Sequence, residues 1–125
     1  MTTINNKILV LGVDGLDPGL TNRFRAEGKM PNFDKFIKRG SAYKDLHMLG
    51  GVPTITPPMW TSLATGATPA THGIPCFWGQ SKNDMATMTY NLNSRKCKAE
   101  QLWNVTAEAG LKTLVWHWPG SSWPP

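Results

Sequence analysis

The stretch "KILVLGVDGLDPG", residues 7–19, decides the fold class of this 125-residue chain. From Ile8 to Val13 it is apolar at every position instead of every second one, and it ends in Asp-Gly followed by Asp-Pro-Gly. A short run of this kind is the pattern of a parallel strand buried on both faces, closed by a turn. The run is too short for the core of a secretory signal or for a membrane span. The cytoplasm is therefore the expected compartment, with no membrane partner and with Cys76 and Cys97 as reduced thiols.

Reading onward from that strand, helix and strand signals alternate. "MPNFDKFIKRG" places Pro31 near a helix start, Phe33, Phe36 and Ile37 on one stripe, and Gly40 at the stop. "SAYKDLHML" predicts a second strand. "PPMWTSLATG" predicts a short helix with Trp60, Leu63 and Ala64 on one face and Gly66 at its end. Periodicity is lost from Thr68 to Arg95, which predicts a long excursion from the sheet. "KAEQLWNVTAEAG" predicts a helix with Leu102, Val105, Thr106 and Ala109 on one face, and "LKTLVWHWPG" another buried strand. The alternation gives an α/β fold with a mostly parallel sheet and flanking helices. The sheet would be thin and the chain stops just after a strand, so residues 1–125 are expected to be the N-terminal part of a single, larger domain.

Composition narrows the function classes. The chain is 40% apolar and 17% charged, which fits a globular domain and neither a disordered nor a fibrous one. The net charge is +5, with the basic residues dispersed apart from Lys35/Lys38/Arg39 and Arg95/Lys96/Lys98. Neither group is interleaved with aromatic residues in the sequence, so no nucleic acid polymer is expected as a partner. A small phosphate-bearing substrate suits such a surface. The two cysteines form no CxxC motif, which argues against a zinc site built on them.

Two places could carry chemistry. In open α/β sheets ligands gather beyond the carboxyl ends of the strands, where Asp14 stands. A carboxylate buried there needs a metal or a partner, although Asp14 could equally cap its turn. Asp17, before Pro18, reads as a turn or N-cap residue. The second place is "GVPTITPPMWTSLATGATPATHGI", residues 51–74. Thr56 precedes Pro57, a favoured first helical residue, and so reads as an N-cap beside the positive end of the helix dipole. That location attracts phosphate. A threonine hydroxyl is a weak nucleophile without a base or a metal, and Thr54 has similar spacing. Thr61, Thr65 and Thr68 read as structural. His47 and His117 fall in predicted strands and read as core or sheet-end histidines. No Gly-rich nucleotide cradle is present.

Taken together, "ILVLGVDGLDP", "PTITPPMWTSLATGATPATHGI" and "LWNVTAEAGLKTLVWHWPGSSWPP" resemble the type I phosphodiesterase/nucleotide pyrophosphatase branch of the alkaline phosphatase superfamily. The resemblance spans nearly the whole chain and is poorest between Gly79 and Lys98. It implies two divalent metal ions, usually zinc, with manganese or magnesium as alternatives. Asp14 matches the first metal-ligating aspartate, and Thr56 the nucleophile that also touches metal. The implied reaction is attack on phosphorus, a covalent phosphothreonine, and hydrolysis. His72 matches a histidine that shapes the loop after the helix and is not assigned to metal.

The match has two departures. Nucleotide pyrophosphatases carry an asparagine shortly after the HGI motif, where this chain has Phe77 in "HGIPCFWG". The family's remaining metal ligands lie far downstream, so these 125 residues are expected to be inactive in isolation. The sulfatase pattern C/S-x-P-x-R is not met by Thr56-Pro57-Pro58. The competing expectation is a non-catalytic α/β module that binds a phosphate-bearing ligand at the Thr56 helix.

Overall fold

A computed structural model describes residues 7–48 and 51–122 of the chain. Two compact units divide it, Met1–Met48 and Leu49–Pro125.

The first unit is a pair of helices. Asp17 caps α1 (Pro18–Ala26), its Oδ1 accepting the Leu20 N–H at 2.6 Å. The buried Thr21 hydroxyl donates to the Asp17 carbonyl at 2.7 Å. Pro31 opens α2 (Pro31–Lys38), in agreement with a helix start near it, because its fixed φ suits the first turn, where an N–H has no helical partner. Arg25 of α1 reaches Asp34 of α2 at 2.6 Å and ties the two helices together. α1 was not expected: Asp-Pro-Gly reads locally as a turn, and the same Asp-Pro also starts a helix when a helical sequence follows.

The second unit holds α3 (Thr56–Thr65), α4 (Pro69–His72), α5 (Leu102–Glu108), and a hairpin of β1 (Trp78–Gln80) and β2 (Met88–Tyr90). α3 ends on Gly66, in the left-handed region at φ 67°, its N–H bonded to the Ser62 carbonyl. The buried face of α3 is Pro57, Pro58, Thr61 and Ala64; of the predicted face Ala64 is buried, Trp60 is half-buried and Leu63 is exposed. Trp60 instead meets Trp118 edge to face at 5.0 Å, and Trp103 of α5 meets the same ring at 6.1 Å. Ile74, Ala64 and Leu92 are the buried apolar residues among those described. The stretch expected to be an irregular excursion contains the hairpin and a 3-10 turn at Ser94–Lys96.

The mixture of helices with a small sheet agrees with an α/β class, but the predicted strands are not formed. Among the described residues the one sheet is β1 paired antiparallel with β2. Residues 8–13, 41–48 and 111–118 lie outside strands, while Leu49, the last of the second predicted strand, lies outside the described residues. Ile8, Leu9 and Leu11 are 86%, 79% and 76% exposed. The physical reason is that a central parallel strand exists only through its ladder partners on both sides. His117 adds a local break, since its φ of 49° is incompatible with an extended strand. His47 and His117 are both exposed, which corrects their reading as core histidines.

Candidate active site

Thr56 is the first residue of α3, and Ile55 takes the N-cap position with extended backbone. The Ile55 carbonyl accepts the Met59 N–H at 3.2 Å, the first helical bond, so Thr56 is one residue further inside the helix than predicted. Thr54 stands outside the helix and is exposed, whereas Thr56 is half-buried. Position therefore separates two residues that spacing could not.

This helix start is an unusual place for an anion. A helix N-terminus attracts phosphate through its dipole and through N–H groups that lack helical acceptors. Of the first three residues of α3, Pro57 and Pro58 have no N–H. The dipole is retained, but Pro57 and Pro58 remove two donors from the cradle of backbone N–H groups. The signal for this was in the sequence and the N-cap reading passed over it.

The other threonines of the segment have structural duties. Thr61 Oγ1 donates to the Pro57 carbonyl at 2.7 Å, and Thr65 Oγ1 to the Thr61 carbonyl at 2.8 Å. Thr65 Oγ1 also accepts the Ala67 N–H at 3.1 Å. Thr68 and Thr71 share a hydroxyl contact at 3.3 Å.

His72 is fully buried and both ring nitrogens are engaged. Nδ1 accepts the Ile74 N–H at 3.1 Å, which assigns the proton of the neutral ring to Nε2, 3.1 Å from Ser62 Oγ. The His72 carbonyl accepts the Lys98 N–H at 2.9 Å. Loss of water around the ring lowers its pKa, and the Pro58 carbonyl pulls weakly the other way. His72 thus fastens α3 to the turn after α4. The Ser62 partner went unrecognised because ten residues separate the two in sequence and only the reversal at Gly66 makes them neighbours.

Asp14 belongs to the first unit, in the turn that Gly15 completes at φ 66°. It is exposed, which removes the argument from the cost of burying its carboxylate. Among the described residues no three His, Cys, Asp or Glu side chains gather as a metal-binding group. A zinc site takes three or more protein ligands. One aspartate and one threonine do not hold two ions by themselves. Two open cavities, of about 610 Å³ beside Phe36 and Leu46 and about 320 Å³ beside Leu63 and Val105, include neither Asp14 nor Thr56 in their walls.

The arrangement is a threonine at a helix start, a left-handed glycine at that helix's end, and a buried histidine bracing the return. The family model of type I phosphodiesterase/nucleotide pyrophosphatase matches residues 8–125. The chain belongs to that family. The family comprises hydrolases of the phosphodiesterase and pyrophosphatase kind, and the match includes Asp14, Thr56 and the His72-Gly73-Ile74 turn. No curated protein and no solved structure matches the chain significantly.

Proposed function

We propose that the chain is the nucleophile-bearing N-terminal part of an alkaline-phosphatase-like, metal-dependent phosphoester hydrolase, of phosphodiester or nucleotide pyrophosphate type. The observation that carries this reading is the family match across residues 8–125, with Thr56 at the first position of α3. In the reaction a bond forms from Thr56 Oγ1 to phosphorus as the bond to the leaving oxygen breaks, and water then cleaves the phosphothreonine. His72 is not the base that takes the threonine proton, because Nδ1 is engaged by Ile74 and Nε2 faces Ser62. Activation in this reading depends on divalent metal, zinc first and manganese or magnesium next. Asp14 and Thr56 are two of the ligands and the others are supplied from outside these residues. The residues at 8–13 and 111–118 are then strands of a parallel sheet that further chain completes. The enzyme works in the cytoplasm on a small phosphate-bearing substrate.

The test uses the full reading frame, supplied with zinc or manganese and assayed on bis-p-nitrophenyl phosphate. Thr56→Ala is expected to lower turnover by about a thousandfold or more, since the nucleophile itself is lost. Thr56→Ser keeps part of the activity, and EDTA abolishes it. Wild-type turnover in Thr56→Ala would remove the assignment. The non-catalytic module is the second reading, and it requires phosphate binding that survives EDTA in a calorimetric titration. The missing donors at Pro57 and Pro58 weigh against it.

A further inference from the structure

α4 is a single turn, Pro69–His72, and a helix that short has little stability of its own. It is held by contact, at both its ends, with the chain on either side of Thr56. At its start the Pro69 ring lies against Gly51, which precedes Thr56. A Cβ added to Gly51 would stand 2.7 and 3.1 Å from Pro69 Cδ and Cγ, and 3.8 Å from Met59 Cε. Glycine is what lets the two segments approach that closely. At its end stands His72, fully buried. Its ring meets Ser62 Oγ at 3.1 Å through Nε2 and hydrogen-bonds the carbonyl of Pro58, just after Thr56. Pro58 and Ser62 are one turn apart on α3 and so face the ring together.

The turn that carries Thr56 is fixed by side chains as much as by its own backbone. Pro57 and Pro58 set φ there but donate nothing. Each of their carbonyls is gripped by a buried side chain. Thr61 Oγ1 donates to the Pro57 carbonyl at 2.7 Å, and the His72 ring takes that of Pro58. The imidazole is itself locked, since Nδ1 accepts the Ile74 N–H at 3.1 Å and Gly73, in the left-handed region at φ 75°, turns the chain between them. Ile74, His72, Pro57 and Pro58 are the largest fully buried side chains among the described residues. Reacting groups are held to within about 0.5 Å by neighbours whose rotamers are locked in this way, through packing and hydrogen bonds. The burial of His72 has no other use in the reaction, because neither ring nitrogen is open to the threonine proton.

We propose that α4 braces the nucleophile from both sides, with His72 a positioning residue that acts on Thr56 through the Pro58 carbonyl. The inference rests on Thr56 being the nucleophile. Pro69 fixes the chain entering α3 and His72 fixes its first turn, so the Thr56 hydroxyl between them is held in one place.

The test uses the full reading-frame protein with zinc or manganese on bis-p-nitrophenyl phosphate, and Thr56→Ala beside it to check the nucleophile. His72→Asn keeps an acceptor for the Ile74 N–H and is too short to reach Pro58 and Ser62. Its kcat is expected to fall about tenfold or more at nearly unchanged KM, because misplacing a reacting group by about 1 Å costs up to about a hundredfold. Gly51→Ala, which displaces Pro69, lowers kcat in the same way. Hydrogen exchange on the metal-free protein gives a readout independent of turnover. There His72→Asn should expose the amides of α3 while those of α5 keep their protection. Wild-type kcat in His72→Asn, with Thr56→Ala inactive, overturns the inference and leaves the nucleophile standing. So does a loss confined to KM, unchanged exchange in α3, or exchange that rises equally in α5, the sign of general loosening. Activity in Thr56→Ala removes both readings. If His72→Asn fails to fold, Gly51→Ala decides by the same measurements.

Discussion

Burial strips His72 of the water that would stabilise its cation, and the Ile74 N–H on Nδ1 requires a lone pair there. The folded pKa therefore lies below the ordinary 6.5 that the imidazole regains on unfolding. Between those two values the unfolded state binds more protons than the folded one, so stability falls as pH drops through 6.5 toward the folded value. Above 6.5 both states are neutral and the contribution is fully present. Thermal melts across that window should show a pH slope that His72→Asn removes. Asparagine can still accept the Ile74 N–H, whereas His72→Leu strands it and costs about 1–3 kcal/mol. His72→Leu is therefore the less stable of the two. An undiminished slope in His72→Asn would place the titration on another group. At this scale the sequence was informative about residue type and uninformative about partners. Thr56, Asp17 and His72 stood out from local signals such as Asp-Pro, Thr-Pro and His-Gly. Ser62 did not, because its role comes from a chain reversal.

Among the elements, α2, α3 and α5 were legible, while α1, α4 and the strands were not. Prolines 18, 31 and 57 begin or closely follow a helix start, and Gly66 ends one, because these signals act within a turn of chain. The strand at 8–13 was inferred from an apolar pattern whose realisation needs neighbours, and no local signal supplies those. The hairpin was missed for the opposite reason: three-residue strands are too short to establish a period. Gly66 allows a quantitative check on α3. Its φ of 67° disfavours a β-carbon by about 1–2 kcal/mol, even though an added Cβ would meet no atom within 4 Å. Gly66→Ala should lower the urea midpoint accordingly, and Gly66→Asn less, since asparagine tolerates the left-handed region. Equal midpoints for Gly66→Ala and wild type would mean that α3 ends elsewhere in solution.

Across the whole molecule, each unit carries a stretch outside helix and strand with exposed apolar side chains, Ile8, Leu9, Val10, Leu11 and Val13 in the first and Leu111, Leu114 and Trp116 in the second. Exposed backbone donors and acceptors beside exposed aliphatic side chains make a template for pairing with another chain. Contiguous apolar surface of this kind also binds hydrophobic dyes and promotes association. The 125-residue chain by itself should therefore bind ANS and elute as concentration-dependent oligomers in size exclusion with light scattering. Leu9→Lys and Leu114→Lys each place a charge within one run and should reduce both signals, with the larger effect when combined. A chain that stays monomeric and ANS-silent over a broad concentration range would show that the runs find cover within the molecule, and the reading of 8–13 and 111–118 as unpaired sheet strands would then fail.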